Sequence, residues 1–143
     1  MAASAEKTII MNVAKDKIQQ VLTDYESYPK FMDGVSNVSI VSKDGNTTKA
    51  QYDLNIIKTF SYVLALTEND NGLSWTFDCG DIFSLNNGSW ELKDQGDGTT
   101  EVTYKIEVDI KIKMIGSGMI IKKLVNTSLP SMLKEVEKRA QSL

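Results

Sequence analysis

The chain of 143 residues contains no histidine and only one cysteine. Histidine exchanges protons most readily near neutral pH and is the commonest metal ligand. Its absence excludes Ser-His-Asp and Cys-His catalysis, and one cysteine cannot supply the usual ligands of a zinc site. We therefore expect no bound metal. Cys79 cannot form an internal disulfide, and because it is in phase with Trp75 and Phe77 we interpret it as a small core residue rather than a nucleophile.

The chain also lacks blocks of like charge and long apolar runs. Its 16 basic and 19 acidic residues are interspersed, which gives no electrostatic footprint for nucleic acid or an anionic membrane. No apolar run approaches the roughly 18 residues of a membrane span, and the N-terminal MAASAEK lacks the pattern of a secretory signal. We expect a cytoplasmic protein without a nucleic-acid partner, a cofactor or stable membrane insertion. Transient membrane contact and a protein partner are left open.

The first third of the chain predicts a strand followed by two short helices. Residues 6–13 have the apolar and β-branched content of a strand, and residues 14–24 change to helical spacing with Ile18, Val21 and Leu22 on one face. Because the residue before proline disfavours helical geometry, Pro29 predicts that this helix ends or breaks near Ser27 and that a second turn starts at about Pro29. We find no linker or repeat, and we predict a single domain over residues 1–143.

The rest of the chain predicts a meander of antiparallel strands and a terminal helix. Turn signals stand at residues 44–46, 69–72 and 96–98. The last strand alternates most clearly, with apolar residues at every second position and charged or polar residues between them: Val102, Tyr104, Ile106, Val108, Ile110 and Ile112. Such a sheet needs a cover on its apolar face, and the segment 119–140, with either a kink at Pro130 or a restart at Ser128, provides one. The pattern fails between Cys79 and Gly88, which predicts a bend or bulge.

Three strings add a family resemblance to this order of elements. They are VLTDYESYPKFMDGV at residues 21–35, NGSWELKDQGDGTTEVTYKIEVD at 87–109 and LPSMLKEVEKRA at 129–140. They resemble the helix-grip superfamily, and within it the polyketide cyclase/dehydrase and lipid-transport group with its coenzyme Q-binding-like branch. The resemblance implies an α+β, START/Bet v 1-like helix-grip fold. In that fold a curved antiparallel sheet of six to seven strands surrounds a long C-terminal helix, and two short helices lie between strands 1 and 2.

The resemblance also implies a ligand site between the sheet and the long helix. The candidate residues all lie in the inward phase of their elements. They are Tyr52, Leu54, Ile56, Phe60, Tyr62, Leu64, Trp75, Phe77, Trp90, Tyr104, Ile106 and Val108 on the sheet, and Met119, Ile120, Leu124, Leu129, Met132, Leu133 and Val136 on the helix. The alternative is that they form a filled core. The glycine- and methionine-containing segment 114–121 is either a gate or an ordinary strand-to-helix joint.

Candidates for proton transfer are few. Asp53, Asp78 and Asp109 fall outside the apolar phase of their strands, which leaves Asp81 at the predicted bend and Tyr104 as weak catalytic candidates. The favoured hypothesis is a carrier or chaperone that binds a hydrophobic small molecule or lipid, for example a quinone-like or polyketide-like compound, without covalent chemistry. The alternatives are a polyketide cyclase/dehydratase-type enzyme and a protein-interaction module like the ribosome-association-toxin branch.

Overall fold

The computed structural model describes residues 2–32, 34–55, 59–111 and 129–143. These residues form one antiparallel sheet with the strand order β1-β7-β6-β5-β4-β3-β2. Helix α1 (Lys15–Thr23) and a 3₁₀ helix (Tyr25–Lys30) lie between the first two strands, and helix α2 (Leu129–Gln141) follows the sheet. The strands are β1 (Ala2–Met11), β2 (Val35–Asp44), β3 (Thr47–Asn55), β4 (Thr59–Asn69), β5 (Gly72–Gly80), β6 (Phe83–Asp94) and β7 (Thr100–Ile110).

Helix α1 buries the predicted face, Ile18, Val21 and Leu22. It ends at Thr23, earlier than the break predicted near Ser27, because the 3₁₀ helix already starts at Tyr25 and contains Pro29. The Tyr28 hydroxyl donates a hydrogen bond to the carbonyl oxygen of Leu22. Since the last carbonyls of a helix have no partner within the helix, this bond stabilises its early end.

Helix α2 closes the apolar side of the molecule. It buries Leu129, Leu133, Val136 and Ala140 in the same core as the inward residues of the sheet, and it packs against α1. The Glu137 carboxylate accepts a hydrogen bond of 2.8 Å from the backbone N–H of Asn12, which ties α2 to the end of β1. The predicted helix-grip architecture is therefore confirmed, including the two short helices between the first two strands.

A β-bulge in β5 makes one prediction wrong. Leu64 lies opposite Phe77, whereas the preceding Val63 lies opposite Cys79, so Asp78 is the additional residue of β5. An additional residue reverses the alternation beyond it. Cys79 consequently shares the outward phase of Val63 and is exposed, not part of the core.

The irregularity predicted between Cys79 and Gly88 is present in the first part of that segment only. Strand β5 ends at Gly80, residues 81–82 form a bend, and a second register shift lies between Phe83 and Leu85. Asn86, Asn87 and Gly88, however, lie inside β6 and pair with β7. The Asn-Gly sequence is therefore part of a strand and not a turn.

Candidate functional site

The structure places the predicted site residues that it describes on one face, toward α2. Most are buried: Tyr52, Leu54, Phe60, Tyr62, Leu64, Trp75, Trp90, Tyr104, Val108, Leu129, Leu133 and Val136. Phe77, Ile106 and Met132 are partly buried against the same core. The remaining candidates Ile56, Met119, Ile120 and Leu124, as well as the predicted gate at 114–121, lie outside the described residues.

Aromatic rings form a continuous wall along the inner face of β3 and β4. The rings of Tyr52 and Tyr62 are stacked in parallel, with centroids 5.2 Å apart and an interplanar angle of 3°. Tyr28 lies beyond one end of this pair at 6.1 Å from Tyr52, and Phe83 meets Tyr62 edge-on at 4.9 Å. These contacts hold the two stacked rings in fixed positions.

A second aromatic group lies on β5, β6 and β7. The ring of Tyr104 is 4.7 Å from that of Trp90 and 5.7 Å from that of Trp75. Trp75 lies opposite Gly88, whose missing side chain leaves room for the indole ring. A β-carbon at Gly88 would lie 2.3 Å from Cζ2 of Trp75. The two aromatic groups together form the aromatic wall of the interior, whose surfaces are flat and apolar with few polar atoms.

The five tyrosines differ in what their hydroxyl groups contact. Tyr25 donates to the Glu68 carboxylate at 3.0 Å, and Tyr28 donates to the carbonyl oxygen of Leu22. The hydroxyls of Tyr52, Tyr62 and Tyr104 have no hydrogen-bond partner within the described part of the chain. The one fully enclosed side-chain oxygen or nitrogen without a partner among the described residues is Gln19 Oε1. The three hydroxyls are therefore unpaired within the described residues, although their side chains are buried.

Burial fixes the protonation state of these tyrosines. Loss of solvation raises the pKa of Tyr52, Tyr62 and Tyr104 well above the ordinary value of a phenol, and the neighbouring Tyr62 adds to the effect at Tyr104. All three are neutral at physiological pH. Each can donate a hydrogen bond to a bound oxygen, but a raised pKa makes Tyr104 a weaker proton donor than a free phenol.

Sequence reasoning missed Asn86, a buried polar residue of the inner face. Its side chain is only 5% exposed, and its Oδ1 accepts a hydrogen bond of 3.0 Å from the indole N–H of Trp75. Asn86 has the same strand phase as Gly88 and Trp90, and that spacing was the available signal. The Asn-Gly sequence instead predicts a bend or bulge, which assigns no inward face to Asn86.

The carboxylates of the strands do not reach this interior. Asp81, considered as an inward acid, is exposed, since the bend after β5 turns it outward, and its carboxylate accepts a hydrogen bond from the backbone N–H of Ser61 at 3.2 Å. Asp53 accepts from the Ser61 hydroxyl at 2.8 Å. Asp78 pairs with Lys49 at 3.5 Å, with both side chains accessible to solvent.

An open depression of about 350 Å³ lies elsewhere, on β1, β6 and β7. It is lined by Ser4, Ala5, Glu6, Asn87, Gly88, Lys105, Ile106 and Glu107. Lys105 and Glu107 alternate with the buried Tyr104 and Val108, so their side chains point away from the aromatic wall. Ile106 also lines the depression, so the depression shares this one residue with the predicted site. Among the described residues, no helix is long and apolar enough to cross a membrane.

Solved structures share this fold. A protein from Thermus thermophilus superposes with a TM-score of 0.83 at 18% identity, with 98% of each chain covered. A START superfamily protein from Mycobacterium smegmatis gives 0.81 at 18% identity, with 97% of each chain covered. The Zhui aromatase/cyclase from a Streptomyces species gives 0.70 at 14% identity, covering 99% of this chain and 88% of the other. At such identities the similarity establishes the fold.

Sequence comparison gives the family. A search of curated proteins yields no match. The sequence profile of the family described as polyketide cyclase / dehydrase and lipid transport matches residues 11–137. This span runs from the end of β1 into α2 and contains the whole aromatic wall. The match does not single out the coenzyme Q-binding branch, which stays a prediction. The chain therefore belongs to the polyketide cyclase / dehydrase and lipid transport family.

Proposed function

We propose that this protein binds a hydrophobic small molecule or lipid between the sheet and the C-terminal helix, and that it acts as a carrier or chaperone without covalent chemistry. The observation that carries the proposal is the set of three buried tyrosines, Tyr52, Tyr62 and Tyr104, whose hydroxyls have no partner in the described part of the chain. A buried hydroxyl normally has a partner. A ligand oxygen at this wall would be that partner, while the surrounding rings contact the apolar body of the ligand.

The protonation states favour binding over proton transfer. In the interior that the structure describes, the titratable groups of the wall are neutral tyrosines with a raised pKa. A general acid or base works best when its pKa lies near the working pH. The exposed Asp81 cannot act on a molecule held against the aromatic wall. Neutral hydroxyls and rings are sufficient to hold and orient an apolar ligand.

The test is native mass spectrometry of protein purified without detergent, followed by organic extraction and identification of any released compound. Leu64→Trp places a large ring on the inner face, and Val63→Trp places the same ring on the adjacent outward position. We expect a stoichiometric apolar adduct in the wild-type protein, its loss in Leu64→Trp and its retention in Val63→Trp. A wild-type protein that carries no adduct and binds no member of a lipid and quinone panel would contradict the proposal.

A cyclase-type enzyme is the second candidate, supported by the family and by the fold shared with the Zhui aromatase/cyclase. Its acid would be the Tyr104 hydroxyl, since Asp81 is exposed. In that case Tyr104→Phe abolishes conversion of a poly-β-ketone substrate while ligand binding persists, and Asp81→Asn leaves turnover intact. If the wild type and the Asp81→Asn variant both bind a poly-β-ketone substrate and neither converts it, the carrier function is favoured.

A further inference from the structure

The Trp75–Asn86 pair fixes how a buried amide is oriented on the inner wall. An indole nitrogen only donates hydrogen bonds, so the atom of Asn86 that lies 3.0 Å from it must be the amide oxygen. The Nδ2 amino group, with two N–H donors, is therefore directed away from Trp75. Gly88 makes this geometry possible because it leaves space for the indole ring.

The Nδ2 donors of Asn86 have no acceptor within the described part of the chain. Asn86 is nonetheless buried, with only 5% of its surface exposed. Among the described residues, the one fully enclosed side-chain nitrogen or oxygen without a hydrogen-bond partner is Gln19 Oε1. The unpaired Nδ2 of Asn86 is therefore not fully enclosed. An unpaired donor that is not fully enclosed, in an apolar interior, is a site at which an incoming acceptor gains a hydrogen bond at little cost of desolvation.

The surroundings define the acceptor. The ring of Trp75, which orients the amide, lies 5.7 Å from that of Tyr104. The ring of Trp90 lies 4.7 Å from that of Tyr104. Flat rings of this kind pack best against another flat ring. A carbonyl oxygen accepts in the plane of its own group and brings no donor that would itself need a partner. A hydroxyl would add a further donor to a wall that already contains the Tyr104 hydroxyl.

We propose, on the basis of the binding function proposed above, that Asn86 is a specificity-determining residue. Its Nδ2 donates a hydrogen bond to a carbonyl oxygen of the ligand, and Trp75 positions the amide for that contact. The interior then takes a planar aromatic carbonyl compound in preference to a hydrocarbon of the same shape. Apolar contact supplies the affinity and Asn86 supplies the discrimination.

Fluorenone and fluorene test this proposal because they share a planar tricyclic skeleton. Fluorenone has a carbonyl group where fluorene has a methylene group. Both are titrated against the whole protein by displacement of the fluorescent probe anilinonaphthalene sulfonate. We expect the wild type to bind fluorenone about five- to tenfold more tightly, the effect of one net hydrogen bond. In Asn86→Leu the ratio of the two affinities falls to about one.

Variants make each outcome decisive. Tyr104→Phe removes the unpaired hydroxyl of the tyrosine that packs against Trp75 and should keep the preference for fluorenone. If this variant loses the preference and Asn86→Leu keeps it, the assignment is overturned. If Asn86→Leu does not fold by circular dichroism, Trp75→Phe/Asn86→Leu replaces both members of the pair and is measured instead.

Equal binding of both compounds by the wild type overturns the role of Asn86 alone. Failure to bind either compound or any lipid overturns the proposed function with it.

Discussion

Gly88 is the residue at which close packing of the sheet depends on a missing side chain. A β-carbon there would lie 2.3 Å from Cζ2 of Trp75 and 2.4 Å from the backbone oxygen of Lys105. Because one of these neighbours is backbone, relief requires β6 to move relative to β7. We expect Gly88→Ala to lower the free energy of unfolding by about 1 to 3 kcal/mol, the usual effect of overpacking. Urea denaturation followed by circular dichroism measures the change.

The matched control for Gly88 is Ser89→Ala, the adjacent position in the outward phase of β6. A substitution of this kind at a partly exposed position changes stability by about 0.5 kcal/mol or less. A Gly88→Ala protein that unfolds at the wild-type urea concentration would show that both the indole of Trp75 and the backbone at Lys105 move aside at little cost. The geometry that orients Asn86 would then also be less fixed than the structure indicates.

Single residues show what sequence reasoning could reach at this scale. Tyr52, Tyr62 and Tyr104 could be placed on the inner wall because each lies in an apolar alternating run. Asn86 shares the phase of Gly88 and Trp90, but its own chemistry is typical of turns and Asn87 and Gly88 follow it, so the sequence favours an irregularity there. Its burial depends on Trp75, which comes from another strand and supplies the partner for its oxygen. A partner of that kind is visible only after the strands are paired.

At the scale of elements, the strands were predictable and their registers were not. Alternation identified the inner face of β3, β4 and β7, and turn residues identified the hairpins. The bulge at Asp78 changes the face of every residue after it, yet nothing in the composition of β5 marks it. Register belongs to two strands together, since it depends on the hydrogen bonds between them. For this reason the alternation of β5 predicts the buried face of Trp75 but not the exposed position of Cys79, on the far side of the bulge.

The bulge gives a direct chemical test. Cys79 is exposed in the folded protein, so a thiol reagent such as dithionitrobenzoate should modify it without denaturant. We expect about one equivalent of thiol to react in the native protein, at a rate within about tenfold of that in guanidinium chloride. Cys79→Ser, which removes the only cysteine, gives the background. A thiol that reacts only after unfolding would place Cys79 back in the core and argue against the bulge.

At the scale of the whole molecule, all five tyrosines have a raised pKa, and in each the first cause is burial. All five belong to the connected buried core. The folded chain therefore keeps these phenols neutral at a pH at which the unfolded chain ionises them. The core rich in phenols therefore makes the stability of the protein sensitive to alkaline pH, and no histidine adds a sensitivity near neutral pH.

The expected pH dependence follows from proton linkage. Below the ordinary phenol pKa of about 10, both states hold these protons and tyrosine adds no slope. Above it the unfolded chain binds fewer protons than the folded chain, so the free energy of unfolding falls as the pH rises toward the higher pKa of the folded state. The slope is about 1.4 kcal/mol per pH unit for each tyrosine that ionises only on unfolding. Urea denaturation at a series of pH values from about 8 to about 11 measures it.

Two further observations decide whether the interior tyrosines cause this loss. Tyr62→Phe removes one of the ionising groups, so its stability should fall with a shallower slope than that of the wild type above about pH 10. Phenolate absorbance, recorded on the same samples, should rise together with the loss of native circular dichroism. If all five tyrosines instead ionise near pH 10 while the native spectrum persists, the hydroxyls reach bulk solvent directly. The wall would then be an open surface, and the enclosed apolar site proposed for the ligand would not exist.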